Sequence, residues 1–135
     1  RRDRGAGGGM TALAPLEVYV SHLRRGELAY QVDVETGAPV FFPRMAAPGT
    51  GAALEWRISS GRGTVYTTTV MHRRDREPIN LAMIELDEGF RMMSRVEGIE
   101  AAQVRIGMRV LLAIEEGLEG NAPLPLFRPD EEATS

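Results

Sequence analysis

From Leu54 to Phe127 the chain is a succession of short apolar–polar alternations cut by glycine turns, a pattern that leaves few folds open. Leu54–Ser59 comes first, followed by Gly61-Arg62-Gly63, where the backbone must turn or bulge. Thr64–His72 is rich in β-branched and aromatic residues, which fit a pleated, half-buried surface. Arg73–Pro78 reads as a charged loop and Ile79–Leu86 as the next strand, with Asp87-Glu88-Gly89 as a hairpin turn into Phe90–Val96. A connection through Glu97–Gly107 leads to Met108, Val110, Leu112 and Ile114, which alternate along a long strand, and Leu124–Phe127 adds a short edge piece. Five or so short strands with glycine-marked turns predict a small closed or partly closed barrel, here over residues 54–129.

The segment before it, residues 14–53, has a different texture. Pro15 suits a first helical turn, and Leu16, Tyr19, Val20 and Leu23 recur at helical spacing, so residues 15–25 predict a short amphipathic helix. Arg24 and Arg25 favour the negative end of its dipole, and Gly26 ends it. Leu28, Tyr30, Val32 and Val34 then alternate as a strand, Glu35-Thr36-Gly37 turns, and Val40-Phe41-Phe42 pairs back as a hairpin. Pro43 to Ala53 is a loop. Residues 1–13 and 130–135 are polar or small and are expected to be a disordered leader and tail.

Composition removes whole classes of chemistry. There is no cysteine, so disulfides, thiolate nucleophiles and cysteine-ligated zinc are excluded. All 16 basic residues are arginine, which excludes a Schiff-base lysine and leaves planar guanidinium forks for any anion. The net charge of -3 is distorted by the ends, and the body between them holds 13 arginines against 15 acids. No field of that size favours nucleic acid or an anionic membrane. Apolar runs are too short to span a bilayer, and Arg1 to Gly9 has no apolar stretch behind it, so the expected location is the cytoplasm.

Six motifs occur in order: Phe41-Phe42-Pro43-Arg44, Glu55-Trp56, Ser60-Gly61-Arg62-Gly63-Thr64-Val65-Tyr66, Glu85-Leu86-Asp87-Glu88-Gly89, Arg105-Ile106-Gly107-Met108-Arg109-Val110 and Phe127-Arg128-Pro129. Each alone is weak; together, over residues 15–129, the chain resembles the zinc-ribbon/OB-fold proteins known as domain of unknown function 35, found beside thiolases. The resemblance implies a mainly β protein with a short N-terminal helix, a zinc-ribbon hairpin and a C-terminal five-stranded OB-fold barrel. It further implies a subunit or scaffold of a thiolase or retro-aldolase, with coenzyme A or its thioesters as ligand. The family's ribbon carries two Cys-x-x-Cys knuckles, and the matching positions here are Asp33 and Thr36, then Ala47 and Thr50. Tetrahedral structural zinc needs four N, S or carboxylate ligands, so the ribbon is expected to be degenerate and metal-free, packed by apolar contacts.

Candidate site residues divide by the contact they would make. Arg44, Gly61, Arg62, Gly63 and Tyr66 are candidates for coenzyme A, because glycines admit close backbone approach and arginine forks onto phosphate. The competing readings are a plain bulge with a solvated Arg62, and an Arg44 stacked on Trp56 or Phe42. Tyr30, Phe41, Phe42 and Trp56 are candidates for a partner surface. Arg73-Arg74-Asp75-Arg76 reads as a solvated loop or as a contact for nucleotide phosphates. His22, read as an exposed helix residue, and His72 have no visible Ser, Cys or Asp companion, so no catalytic residue is assigned. Glu85, Asp87 and Glu88 read as turn residues, and Met92-Met93 as core or interface filler.

Three functions follow. The first is a non-catalytic subunit of a thiolase-like enzyme that helps hold acyl-coenzyme A, with a homodimer inside a heterotetramer as one compatible assembly. The second is a single-stranded nucleic-acid-binding OB-fold, disfavoured by a slightly acidic body with 6% aromatics. The third is a stand-alone thioester-binding protein or enzyme using the barrel mouth.

Overall fold

A computed structural model describes residues 14–44, 51, 53–117 and 120–131. The first element is helix α1, Pro15–Arg24. Pro15 stands at its start, Glu17 reaches back to accept the Ala14 N–H at 3.3 Å, and Gly26, at φ +83°, ends it. Tyr19 and Leu23 are buried from this helix, as the apolar spacing requires.

Strands β1 (Ala29–Asp33), β2 (Pro39–Val40) and β3 (Leu54–Ile58) form an antiparallel sheet in the order β2-β1-β3. Strand β1 is central, and all five of its residues are buried, where alternation alone had indicated one buried face. Gln31 is accommodated because its side-chain amide bonds the Arg44 backbone in both directions, donating to the carbonyl at 2.8 Å and accepting the N–H at 2.7 Å. Strand β3 pairs with β1 along its whole length, Ala29 opposite Ile58 through Asp33 opposite Leu54. Leu54–Ile58, read from the sequence as the first strand after the loop, thus pairs into the first sheet, and the strands of the second sheet start at Arg62.

The second sheet contains β4 (Arg62–Arg73), β5 (Arg76–Leu86), β6 (Arg91–Ser94), β7 (Arg109–Glu115) and β8 (Leu124–Pro129), in the order β6-β5-β4-β7-β8. A parallel bridge between Val96 and Phe127 closes it, with Glu97 N–H donating to the Phe127 carbonyl at 2.7 Å. The circuit of five strands, antiparallel except where the third meets the fifth, is the OB-fold barrel. Buried Asn80 pins the closure by exchanging side-chain bonds of 2.8 and 2.9 Å with the Val96 backbone.

Three other expectations change. Arg73–Pro78 is not a loop: β4 and β5 are joined by a tight turn at Arg74-Asp75, with Asp75 at φ +60°, a conformation aspartate tolerates. Leu124–Phe127 is not a marginal edge piece but part of the six-residue strand that completes the barrel. Asp130 is not tail: it is 1% exposed, and its N–H donates to the Arg109 carbonyl at 2.9 Å. The leader 1–13 and residues 132–135 lie outside the described residues.

One apolar core serves both sheets. Val65, Ala82, Ile84, Leu86, Val110 and Phe127 fill the barrel, and Tyr19, Leu23, Leu28, Tyr30 and Val32 join them from the helix and ribbon. Among the described residues no helix is long and apolar enough to cross a membrane.

Candidate functional site

The glycines of Ser60-Gly61-Arg62-Gly63 are occupied with packing. Gly61, at φ +81°, lies so near β7 that an added Cβ would sit 3.0 Å from the Leu112 Cβ. At Gly63 a Cβ would meet the Glu85 carbonyl oxygen at 2.8 Å and Ile84 Cγ2 at 2.9 Å. Both serve close strand approach inside the barrel wall. Arg62 points outward, half-exposed, with Nη1 3.4 Å from the buried Asp130 carboxylate. Beside it Arg109 grips Asp87 with two bonds of 2.8 Å and donates to Thr64 Oγ1 at 2.9 Å. The Arg109 hydrogen bonds hold the Asp87 carboxyl below its usual range, partly offset by burial. The same bonds raise Arg109.

Tyr66 stands on a bulge between Val65 and Thr67, where β4 leaves its regular register with β5. Its ring is half-exposed, and the Arg91 guanidinium lies over it at 3.7 Å while bonding Glu85 at 3.2 Å. Arg44 is exposed at the ribbon, fixed by its backbone to Gln31. The five residues read as coenzyme A contacts thus lie at three places: the ribbon end, the barrel wall and the bulge.

The aromatic candidates do converge. Tyr30 stacks on Phe90 at 4.8 Å, Phe41 stacks on Phe90 at 4.9 Å, and Tyr19 meets Phe41 and Phe42 edge-on at 5.6 and 5.9 Å. Tyr30 and Phe41 are therefore internal mortar between ribbon and barrel, and only Phe42 of that set is exposed, at 54%. Burial pushes the Tyr19 phenol up to about 12, so it stays neutral. Trp56 packs against His22, ring centroids 6.2 Å apart. His22, expected to be exposed, is largely covered and lies 2.8 Å from Glu27 Oε1. The neighbouring Ser21 hydroxyl is turned away to the Val18 carbonyl.

Sequence reasoning missed a groove. Helix α1, Phe42 and the barrel strands enclose an open apolar cleft of about 600 Å³. Leu16, Phe42, Met93 and Leu124 rim it, each at least half exposed, and Arg91 is its charged edge. The signal was present as Leu16 and Val20 one turn apart and as Met93 facing out beside the buried Met92, but the apposition of these elements is tertiary.

The ribbon positions do not fit zinc. Asp33 is buried and its Oδ1 accepts the N–H groups of Glu35 at 2.8 Å and Thr36 at 3.3 Å, while Thr36 Oγ1 accepts the Ala38 N–H at 3.2 Å. At Asp33 and Thr36 the hairpin closes as an aspartate-capped turn. Ala47 and Thr50 lie outside the described residues, among which no three His, Cys, Asp or Glu side chains converge on a common point.

Comparison with known proteins agrees with this architecture. Residues 56–115 match the C-terminal OB-fold domain of ChsH2. Over 61 residues, 42% of the chain, the sequence is 39% identical to the 3-oxo-4,17-pregnadiene-20-carboxyl-CoA hydratase alpha subunit of Mycobacterium tuberculosis, covering 20% of that protein. Over 75 residues, 53% of the chain, it is 35% identical to a probable enoyl-CoA hydratase alpha subunit of Thermomonospora curvata, covering 23% of it. The chain thus matches about a fifth of the length of these curated relatives. Among solved structures, a chain of an Ltp2-ChsH2(DUF35) aldolase superposes with a TM-score of 0.76 at 25% identity, over 87% of this chain and 95% of that one. A DUF35-family protein of unknown function from Sulfolobus solfataricus gives 0.63 at 13% identity over 84% of each, a likeness of fold alone.

Proposed function

We propose that this chain, a DUF35-type OB-fold protein, is the small non-catalytic subunit of a thiolase-like enzyme, thiolase or retro-aldolase, acting on acyl-coenzyme A. The observation that carries the reading is the likeness to a chain of the Ltp2-ChsH2(DUF35) aldolase over 95% of that chain's length. The hydratase alpha subunits that share the barrel act, by their names, on coenzyme A thioesters. The chain's own side chains agree with an accessory role, since His22 is engaged with Glu27 and stacked on Trp56, while the neighbouring Ser21 hydroxyl donates to the Val18 carbonyl.

Within this reading the apolar cleft is the surface that docks the enzyme, because a rim of four exposed apolar side chains is costly to leave in water. Arg44 and Arg62 are the guanidinium groups offered to coenzyme A phosphates, with Tyr66 as a flat face for its base; Gly61 and Gly63 act only by shaping the wall. The protein is a metal-free member of the DUF35 type.

The test is co-purification from the native host with a thiolase-like enzyme, comparing wild type with Phe42→Ser and Met93→Ser. Phe41 and Tyr30 are unsuitable because they pack the interior. Each variant should keep its melting temperature and lose the enzyme. Variants that still elute with the enzyme in equal amounts would refute the cleft as the docking surface, and a wild-type chain that brings no such enzyme would refute the function.

A further inference from the structure

Strand β4 runs for 12 residues, but β7 covers only its start, with Arg62, Gly63 and Thr64 opposite Leu111, Val110 and Arg109. Val65 is the last residue held on that side, bonded to the Met108 carbonyl at 2.9 Å and the Gly107 N–H at 2.8 Å. Beyond the Tyr66 bulge, Thr67–Arg73 pairs with β5 alone, Thr67 opposite Met83 and on to Arg73 opposite Arg76. The other edge of these residues has no backbone partner among the described residues. At about 3.3 Å per residue it presents roughly 23 Å of open N–H and C=O groups.

Natural sheets blunt such edges with charge, proline or brevity. This edge carries Thr67-Thr68-Thr69-Val70-Met71-His72-Arg73: no proline, no charge before its last residue, and β-branched side chains along the first four. Thr67, Thr69 and Met71 are exposed on one face. A strand of this composition is a pairing template. Its charge is confined to one end, at Arg73 and the neighbouring Arg74 and Arg76 of the hairpin tip. Parallel pairing with a copy would set Arg73 against Arg73; antiparallel pairing sends the two tips to opposite ends.

We propose that the open edge of β4 is a self-association surface, on which a second copy of this chain pairs antiparallel about a two-fold axis at Val70. In that register Thr67 faces Arg73 of the copy, Thr68 faces His72 and Thr69 faces Met71, so the whole open edge is used and no like charges stand opposed. The two β4–β5 hairpins merge into one four-stranded sheet, an isologous contact that closes on itself. The two Arg73 residues lie about 20 Å apart along the shared ladder. This surface is separate from the cleft assigned to the enzyme, and the dimer forms whether or not that enzyme binds.

The absence of native cysteine makes the test direct, because any substituted cysteine is the chain's single thiol. Val70→Cys places two thiols across the axis, within the Cα separation of about 4.4–6.8 Å that a disulfide spans, whereas Thr67→Cys places them about 20 Å apart. Under mild oxidation of the purified chain, Val70→Cys should give a covalent dimer in roughly tenfold higher yield than Thr67→Cys. Wild type should show a concentration-dependent rise to twice its mass by sedimentation. Equal crosslinking of the two variants, no crosslinking of either, or a wild-type chain that sediments as a monomer at every concentration would overturn the proposal. No enzyme partner is present in this experiment, so its failure leaves the proposed function standing.

Discussion

At the scale of single residues, several arginines are paired with acids across the surface, Arg57 with Glu55, Arg62 with Asp130, Arg91 with Glu85 and Arg95 with Glu97. The clearest case is Asp87 with Arg109, a bidentate pair at 2.8 Å joined by Thr64. Its folded pKa is depressed by the Arg109 hydrogen bonds, so the stability it contributes is present above the unfolded carboxylate range and lost as pH falls through the depressed value. Asp87 is 42% exposed, and solvent screening holds the contribution to about 1 kcal/mol or less. Asp87→Asn should therefore lower the urea midpoint at pH 7, and the gap to wild type should close below about pH 4. A gap that persists unchanged at pH 3 would show that the substitution acts through packing instead. The Gly61–Gly63 segment teaches the limit of residue-level reading: the sequence marks that backbone comes close to something there. Whether that something is a ligand phosphate or Leu112 and Ile84 depends on strands dozens of residues away.

At the scale of elements, what was legible was local and what was not was pairing. Helix α1 and the hairpin at Asp87-Glu88-Gly89 followed from spacing and turn chemistry, and the resemblance to zinc-ribbon/OB-fold proteins supplied the arrangement of ribbon and barrel. The alternation of Leu54–Ile58 identifies a strand but says nothing of its neighbour, which proved to be β1. Strand β8 runs two residues beyond the edge piece read from the sequence, and Pro125 and Pro129, which lack N–H groups, flank Phe127, the residue that bridges to Val96. The cleft was invisible because no spacing rule relates Leu16 to Met93. The knuckle at Asp33 carries a prediction of its own. Two backbone N–H groups donate to Asp33 Oδ1 at the turn of the hairpin. Asp33→Ala should lose about 1–2 kcal/mol of stability and Asp33→Asn much less, since its amide oxygen still accepts. Chelator should leave the wild-type melting temperature unmoved. A fall on chelation would mean that a metal, not the turn, holds this hairpin.

At the scale of the whole molecule, the question is whether ribbon and barrel are two folding units or one. Sequence texture separates them near residue 54, yet Phe90, a barrel residue 4% exposed, stacks at once on Tyr30 and Phe41 of the ribbon half. The three-stranded sheet of the ribbon half has little core of its own, so its stability has to be borrowed through this contact. The argument predicts one cooperative transition. The single tryptophan, Trp56, sits on β3 and reports the ribbon by fluorescence, while far-UV circular dichroism reports chiefly the strands of the barrel. The two urea curves of wild type should superimpose. Phe90→Ala removes the shared ring at a cost of about 3–5 kcal/mol, and both curves should move together by the same amount. Should the tryptophan signal melt ahead of the dichroism, in wild type or variant, the ribbon is a separate unit resting on the barrel. The apolar cleft, whose walls come from both halves, would then open with it before the barrel unfolds.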